Sequence, residues 1–131
     1  MNYLVDTHIL LWSFLETGKL SKTAKSTLLD GNNEIYYSPI SLWEISIKYG
    51  LKKISLNGGT PDDFFNELKN SYYHCKPMDN IDLVTNHKLP TYHRDPFDRF
   101  LIWEALRNGF VLISVDKNME LYKKEGLRVV Y

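Results

Sequence analysis

Four acidic residues stand where carboxylates can work on a phosphate: Asp6, Glu44, Asp98 and Asp116. Asp6 follows a short apolar run at 3–5, and Asp116 comes just after another at 110–114. Glu44 lies near the start of the helix expected after a third run at 35–37, and Asp98 in the first turn of a helix opening at Asp95-Pro96. In an open α/β sheet such positions lie beyond the carboxyl ends of strands, where ligands bind. Asp98 is the most informative. Leu101, Ile102 and Ala105 follow it at i+3, i+4 and i+7, so it heads the apolar stripe of its helix and points inward. An unpaired charge there is costly. Carboxylates gathered in this way need a cation, and oxygen donors without imidazole or thiolate select Mg2+, with Mn2+ as the alternative. Such a centre activates water and clamps a phosphoryl oxygen. Thr7 and Ser114 are small hydroxyls beside two of the acids, placed to orient a ligand or a water. Asp95 reads first as the cap of its own helix and stands at the margin of the set.

Each of these residues also has an ordinary explanation. Asp6 and Asp116 can cap strand–helix turns, and Asp98 can complete a capping box begun at Asp95. Glu44 can pair with Lys48 at i+4 or close a box with Ser41. Thr7 and Ser114 can simply end a cap or a strand. The basic residues nearest the acids are Lys48, Arg94, Arg99 and Lys117, suited to a phosphodiester backbone although any one could be a solvated surface charge. Charge is balanced, 16 Lys+Arg against 16 Asp+Glu, which excludes a strongly basic coat. If a cation neutralises the four acids, twelve remain against 16 bases, a net of +4 that suits a polyanion.

A chain of 131 residues makes one domain, residues 1–131. Apolar strand runs at 3–5, 35–37, 73–76, 110–114 and 127–131 alternate with helical patterns at 7–16, 21–29, 38–49, 60–69, 81–87, 95–108 and 118–125. This predicts the α/β class, with a parallel central sheet flanked by helices on both faces. No apolar run approaches the roughly 18 residues of a membrane span. The run at 9–15 has Asp6 and no Lys or Arg before it, the wrong flank for secretion. A cytoplasmic protein without a membrane partner is expected. The single cysteine, Cys75, excludes an intramolecular disulfide and a thiolate zinc site, and is expected to be a packed thiol. His8, His74, His87 and His93 form no close metal-type pair. His93 reads as a turn residue, with substrate contact as the alternative.

Val5-Asp6-Thr7-His8, Ser38-Pro39-Ile40-Ser41-Leu42-Trp43-Glu44-Ile45, His93-Arg94-Asp95-Pro96-Phe97-Asp98-Arg99 and Ser114-Val115-Asp116 occur in that order. Together they resemble the PIN domain family, specifically the VapC-like toxins of bacterial toxin–antitoxin pairs. The resemblance runs from Asn2 to the C-terminal strand. It implies a single PIN-like domain and a metal-dependent endoribonuclease whose acidic ligands match Asp6, Glu44, Asp98 and Asp116. It further implies a structured RNA substrate such as tRNA or rRNA, a homodimer, and a cognate antitoxin that holds the enzyme inactive. Trp103 and Met119 depart from the family pattern, where a smaller or polar residue and an aromatic are usual. The alternatives are a PIN-fold nuclease in RNA processing outside such a pair, or a non-catalytic RNA- or protein-binding adaptor. The intact acid set argues against the adaptor. A phosphatase built on an Asp nucleophile wants a second Asp at position 8, which is His8; a phospho-accepting receiver wants an acid pair after the first strand, but Thr7 follows Asp6. Without a cation, clustered carboxylates repel, so at least one should have a raised pKa, and Asp6→Asn or Asp116→Asn should stabilise the protein.

Overall fold

The computed structural model describes residues 1–131. The apolar runs form five strands: β1 (Asn2–Val5), β2 (Glu34–Tyr37), β3 (His74–Cys75), β4 (Val111–Ile113) and β5 (Val129–Val130). They lie in the order β3-β2-β1-β4-β5, and every neighbouring pair is parallel. Leu4 stands opposite Tyr36 on one side and Leu112 on the other. Successive side chains on a strand point to opposite faces. Leu4 and Leu112 therefore enter one core with Phe100, Leu101, Met119 and Tyr122. Val5, Ile35 and Ile113 enter a second core with Ile9, Leu10, Ile45, Phe64 and Leu68. Both faces of the sheet are covered, as continuous apolar strands require.

The helices are α1 (Thr7–Leu15), α2 (Lys22–Leu29), α3 (Pro39–Gly50), α4 (Pro61–Lys69), α5 (Asn80–Thr85) and α6 (Pro96–Asn108). Their starts follow local chemistry. Asp6, Ser21, Ser38, Thr60 and Asp95 accept hydrogen bonds from orphan N–H groups, and proline follows three of these caps, at positions 39, 61 and 96. Gly109, at φ 73°, ends α6 in the left-handed conformation that a Cβ disfavours. None of these helices is long and apolar enough to cross a membrane.

The helix expected at 118–125 is instead a 3₁₀ segment, Lys117–Glu125. Met119 and Tyr122, three residues apart, are both fully buried, and the 3₁₀ geometry aligns side chains at that spacing. Met119 thus fills the core. Trp103 is half-buried and donates from its indole nitrogen to Thr85 Oγ1 at 3.0 Å. Cys75 is not a packed thiol: it is exposed, because β3 is a two-residue strand at the sheet edge.

The topology creates one special crevice. From β1 the chain builds outward through β2 and β3, and then returns through α6 to place β4 on the other side of β1. Connections leave β1 and β4 in opposite directions, and beyond their carboxyl ends a crevice opens.

Candidate metal centre at the sheet edge

Asp6 occupies that crevice because β1 ends there. Its N–H donates to the Ile113 carbonyl of β4 at 3.0 Å, and its Oδ1 caps α1 by accepting from the Ile9 N–H at 2.9 Å. The side chain is buried. Burial pushes its pKa up, while hydrogen bonds from Ser114 and the Ile9 N–H pull the other way. Ser114 ends β4 and is fully buried. Its Oγ accepts the Asp116 N–H at 3.0 Å, and its hydroxyl stands near enough to Asp6 to lower that carboxyl's pKa. One serine therefore stands beside both acids that follow the central strands.

Glu44 reaches the same edge from α3 and is also buried. The Thr7 hydroxyl donates to Glu44 Oε1 at 2.6 Å and lies 2.9 Å from Ser41 Oγ. Lys48 Nζ sits 2.5 Å from Glu44 Oε2, which is the i+4 pair legible in the sequence. The hydrogen bond to Glu44 raises the pKa of Lys48.

Asp98 comes from the first turn of α6. Asp95 is the cap, accepting from the N–H groups of Phe97 (2.8 Å) and Asp98 (3.1 Å), so the Asp98 carboxyl is free for another purpose. Its pKa is pushed up to about 7, first by burial and then by the negative charges of Asp95, Asp6 and Glu44. The expected repulsion among the acids is thus present at Asp6 and Asp98. It fails at Asp116. Burial raises that carboxyl, but hydrogen bonds from His93 and the Asn118 N–H outweigh it and hold the pKa below the ordinary value. Removing the Asp116 charge should therefore cost stability, contrary to the expectation for Asp116→Asn.

His93, which reads from sequence as a turn residue, stands against this cluster. Its Nε2 lies 3.0 Å from Asp116 Oδ2, and ligand atoms of His93, Asp98 and Asp116 all fall within 4.8 Å of one another. The available signal was its place two residues before the α6 cap, which puts it beside the turn carrying Asp98.

The basic residues divide. Arg99 is not free for a phosphate: its guanidinium donates to the carbonyls of Pro90 (3.1 Å), Leu89 (3.1 Å), His93 (3.3 Å) and Asn86 (3.5 Å). Arg94 is exposed, and Lys117 lies over the Tyr131 ring, 5.0 Å from its centroid. A groove of about 330 Å³ starts at Thr7 and Glu44 and passes Trp12, Lys19, Lys48 and Lys53.

The donor set suits a divalent cation. Several carboxylates meet at one edge, and one of them is raised to about 7 partly by its negative neighbours, a deficit of positive charge that hard cations meet through oxygen ligands. The fold itself has solved relatives. Superposition relates the whole chain to VapBC2 from Rickettsia felis bound to a DNA fragment from their promoter, with TM-score 0.68, 18% identity, and coverage of 99% of this chain and 98% of that one. FitAcB from Neisseria gonorrhoeae gives TM-score 0.67 at 16% identity, covering 100% and 97%. A toxin–antitoxin complex from Klebsiella pneumoniae gives 0.64 at 17%, covering 98% and 96%. At these identities the likeness establishes the fold alone. No curated protein matches the sequence. The family model for the PIN domain matches residues 3–125, from β1 through the segment after Asp116, and with nearly the whole chain inside that match the protein belongs to the PIN domain family.

Proposed function

We propose that this protein is a metal-dependent endoribonuclease, the toxin of a toxin–antitoxin pair, cutting structured RNA such as tRNA or rRNA. The observation that carries the proposal is the convergence of Asp6, Asp98 and Asp116 beside Ser114 at the switch point of the sheet. Asp6, Asp98, Asp116 and Glu44 would hold Mg2+ or Mn2+. When bound, the cation lowers the pKa of water and offsets charge on the phosphoryl oxygens. The protein's own groups do the rest. The Ile9 N–H fixes the Asp6 carboxylate, with the Ser114 hydroxyl beside it. Thr7 and Lys48 hold one Glu44 oxygen each, which fixes the carboxylate at this edge. Lys48 and Lys53 line the groove that leaves this edge and attract the RNA backbone, while the half-buried Trp12 offers a face to an unstacked base. The toxin role is supported by the solved neighbours, which are toxin–antitoxin complexes. Trp43, 60% exposed, and Val84, 68% exposed, are apolar surface suited to a homodimer or an antitoxin.

The test combines cleavage with growth. Purified protein should cut a structured RNA with Mg2+ or Mn2+ and stop in EDTA, and Asp98→Asn should abolish cutting while staying folded. Expression should arrest growth, and co-expression of the cognate antitoxin should relieve the arrest. Undiminished cleavage by Asp98→Asn, or by wild type in EDTA, would overturn the proposal.

A further inference from the structure

We propose that His93 is a positioning residue of the metal centre, orienting the Asp116 carboxylate through a hydrogen bond from Nε2. The inference rests on the metal-dependent reading above, and adds a residue that the acid set does not contain.

The geometry distinguishes His93 from an idle turn histidine. Its side chain is 10% exposed. The segment around it belongs to no helix or strand, yet it is pinned on every side. The His93 N–H donates to the Tyr122 hydroxyl at 2.8 Å, and the two rings pack with centroids 5.4 Å apart. Tyr122 is itself fully buried. The His93 carbonyl accepts from Arg99, which also takes three neighbouring carbonyls of the same segment. With the backbone held and the ring packed on Tyr122, Nε2 lies 3.0 Å from Asp116 Oδ2.

An ionised carboxylate only accepts, so Nε2 carries the hydrogen of this bond. That nitrogen is then committed to Asp116 rather than offering a lone pair to a cation. The buried Nδ1 has no partner, so it offers no competing bond to turn the ring away. Asp116 Oδ1 meanwhile accepts the Asn118 N–H at 2.9 Å. Each oxygen is held by one donor and keeps a second lone pair. The result is a carboxylate fixed in plane and direction before any ligand arrives. Groups that hydrogen-bond to ligating side chains commonly contribute 10- to 100-fold in metal affinity.

Mn2+ is the probe, with binding followed by calorimetry and by electron paramagnetic resonance. His93→Leu and His93→Asn should weaken Mn2+ binding about 10-fold or more, because leucine has no donor and the asparagine amide falls short of Oδ2. His93→Gln, whose amide reaches where Nε2 was, should restore most of the affinity. Should the leucine variant fail to fold, the asparagine–glutamine pair still decides. Wild-type affinity in both His93→Leu and His93→Asn, or equal loss in the asparagine and glutamine variants, would overturn the assignment. Nitrogen hyperfine coupling from His93 to bound Mn2+ in the wild type would also overturn it, by making the imidazole a ligand. A wild type that neither binds Mn2+ nor cuts RNA sinks the nuclease reading. One that does both, while ignoring His93→Leu and His93→Asn, sinks only this inference.

Discussion

Asp98→Asn should make the cation-free protein more stable at neutral and alkaline pH while destroying its proposed activity. The carboxyl is raised from 3.8 to about 7 by burial and by three neighbouring acids. A raised folded-state pKa means that the protonated form favours folding: its contribution is complete below about 4 and is lost as pH rises through about 7. A shift of this size corresponds to about 4 kcal/mol across that window. Because the side chain is only partly buried, solvent screening reduces the expected effect to about 2 kcal/mol. Asparagine keeps the shape and has no charge to lose. In EDTA the two proteins should match near pH 4 and diverge steadily as pH rises. The divergence should level off above pH 7, with the variant melting roughly 5–10 °C higher. Mg2+ at about a hundred times its dissociation constant should then raise the wild type by about 2.7 kcal/mol and leave the variant nearly unchanged. The assay is urea unfolding from pH 4 to 8, with thermal melting beside it, in EDTA and in Mg2+. Parallel pH curves for the two proteins, or a variant less stable than wild type at pH 8 in EDTA, would refute the argument that this acid is held at a cost.

Two further outcomes follow from other buried charges. Arg99→Lys keeps the charge but loses the planar fork, so amide hydrogen exchange should speed up across residues 86–93, with stability lower by about 1–3 kcal/mol; unchanged exchange there would contradict the four carbonyl bonds. Glu104 is fully buried 3.3 Å from Lys76, and burial pushes its pKa up to about 7 despite that lysine. By the same sign, wild type should lose stability from its unfolded pKa of about 4.5 up to about 7, and Glu104→Gln should remove part of that slope in urea titrations.

Much of the architecture was legible because local signals agreed with one another. Pro96 after a capping Asp95, an apolar stripe, and Gly109 at the far end bound α6 from both sides. Apolar runs separated by helices leave a covered parallel sheet as the economical arrangement. Legibility failed where a tertiary demand chose between similar local states. Residues 117–125 bury Met119 and Tyr122, and side chains three apart share a face of an α-helix and of a 3₁₀ helix alike, so the spacing does not separate the two. Cys75 looked like strand interior because nothing local marks β3 as the short outermost strand.

The candidate site divides along the same line. Its acids can be read from the chain because each follows a strand or opens a helix, so a short segment determines where the carboxylate stands. Their environments cannot be read in that way. Asp6 and Asp116 look equivalent in sequence, one after each central strand, and their carboxyls are shifted in opposite directions. Asp6 is buried, whereas Asp116 is partly exposed and accepts from the Asn118 N–H and from His93, 23 residues before it in the chain. Arg94 and Arg99 likewise flank Asp98 and look equally available to a phosphate. Only the path of residues 86–93 across α6 turns Arg99 inward to four carbonyls and leaves Arg94 exposed. Both cases turn on one segment, a single 3₁₀ turn and the irregular stretch after it, carried by Arg99 and Tyr122, that delivers an imidazole to a carboxylate. The sheet edge sets where the acids meet, and this segment sets how one of them is held. A substitution in it should therefore disturb the centre while leaving both cores intact.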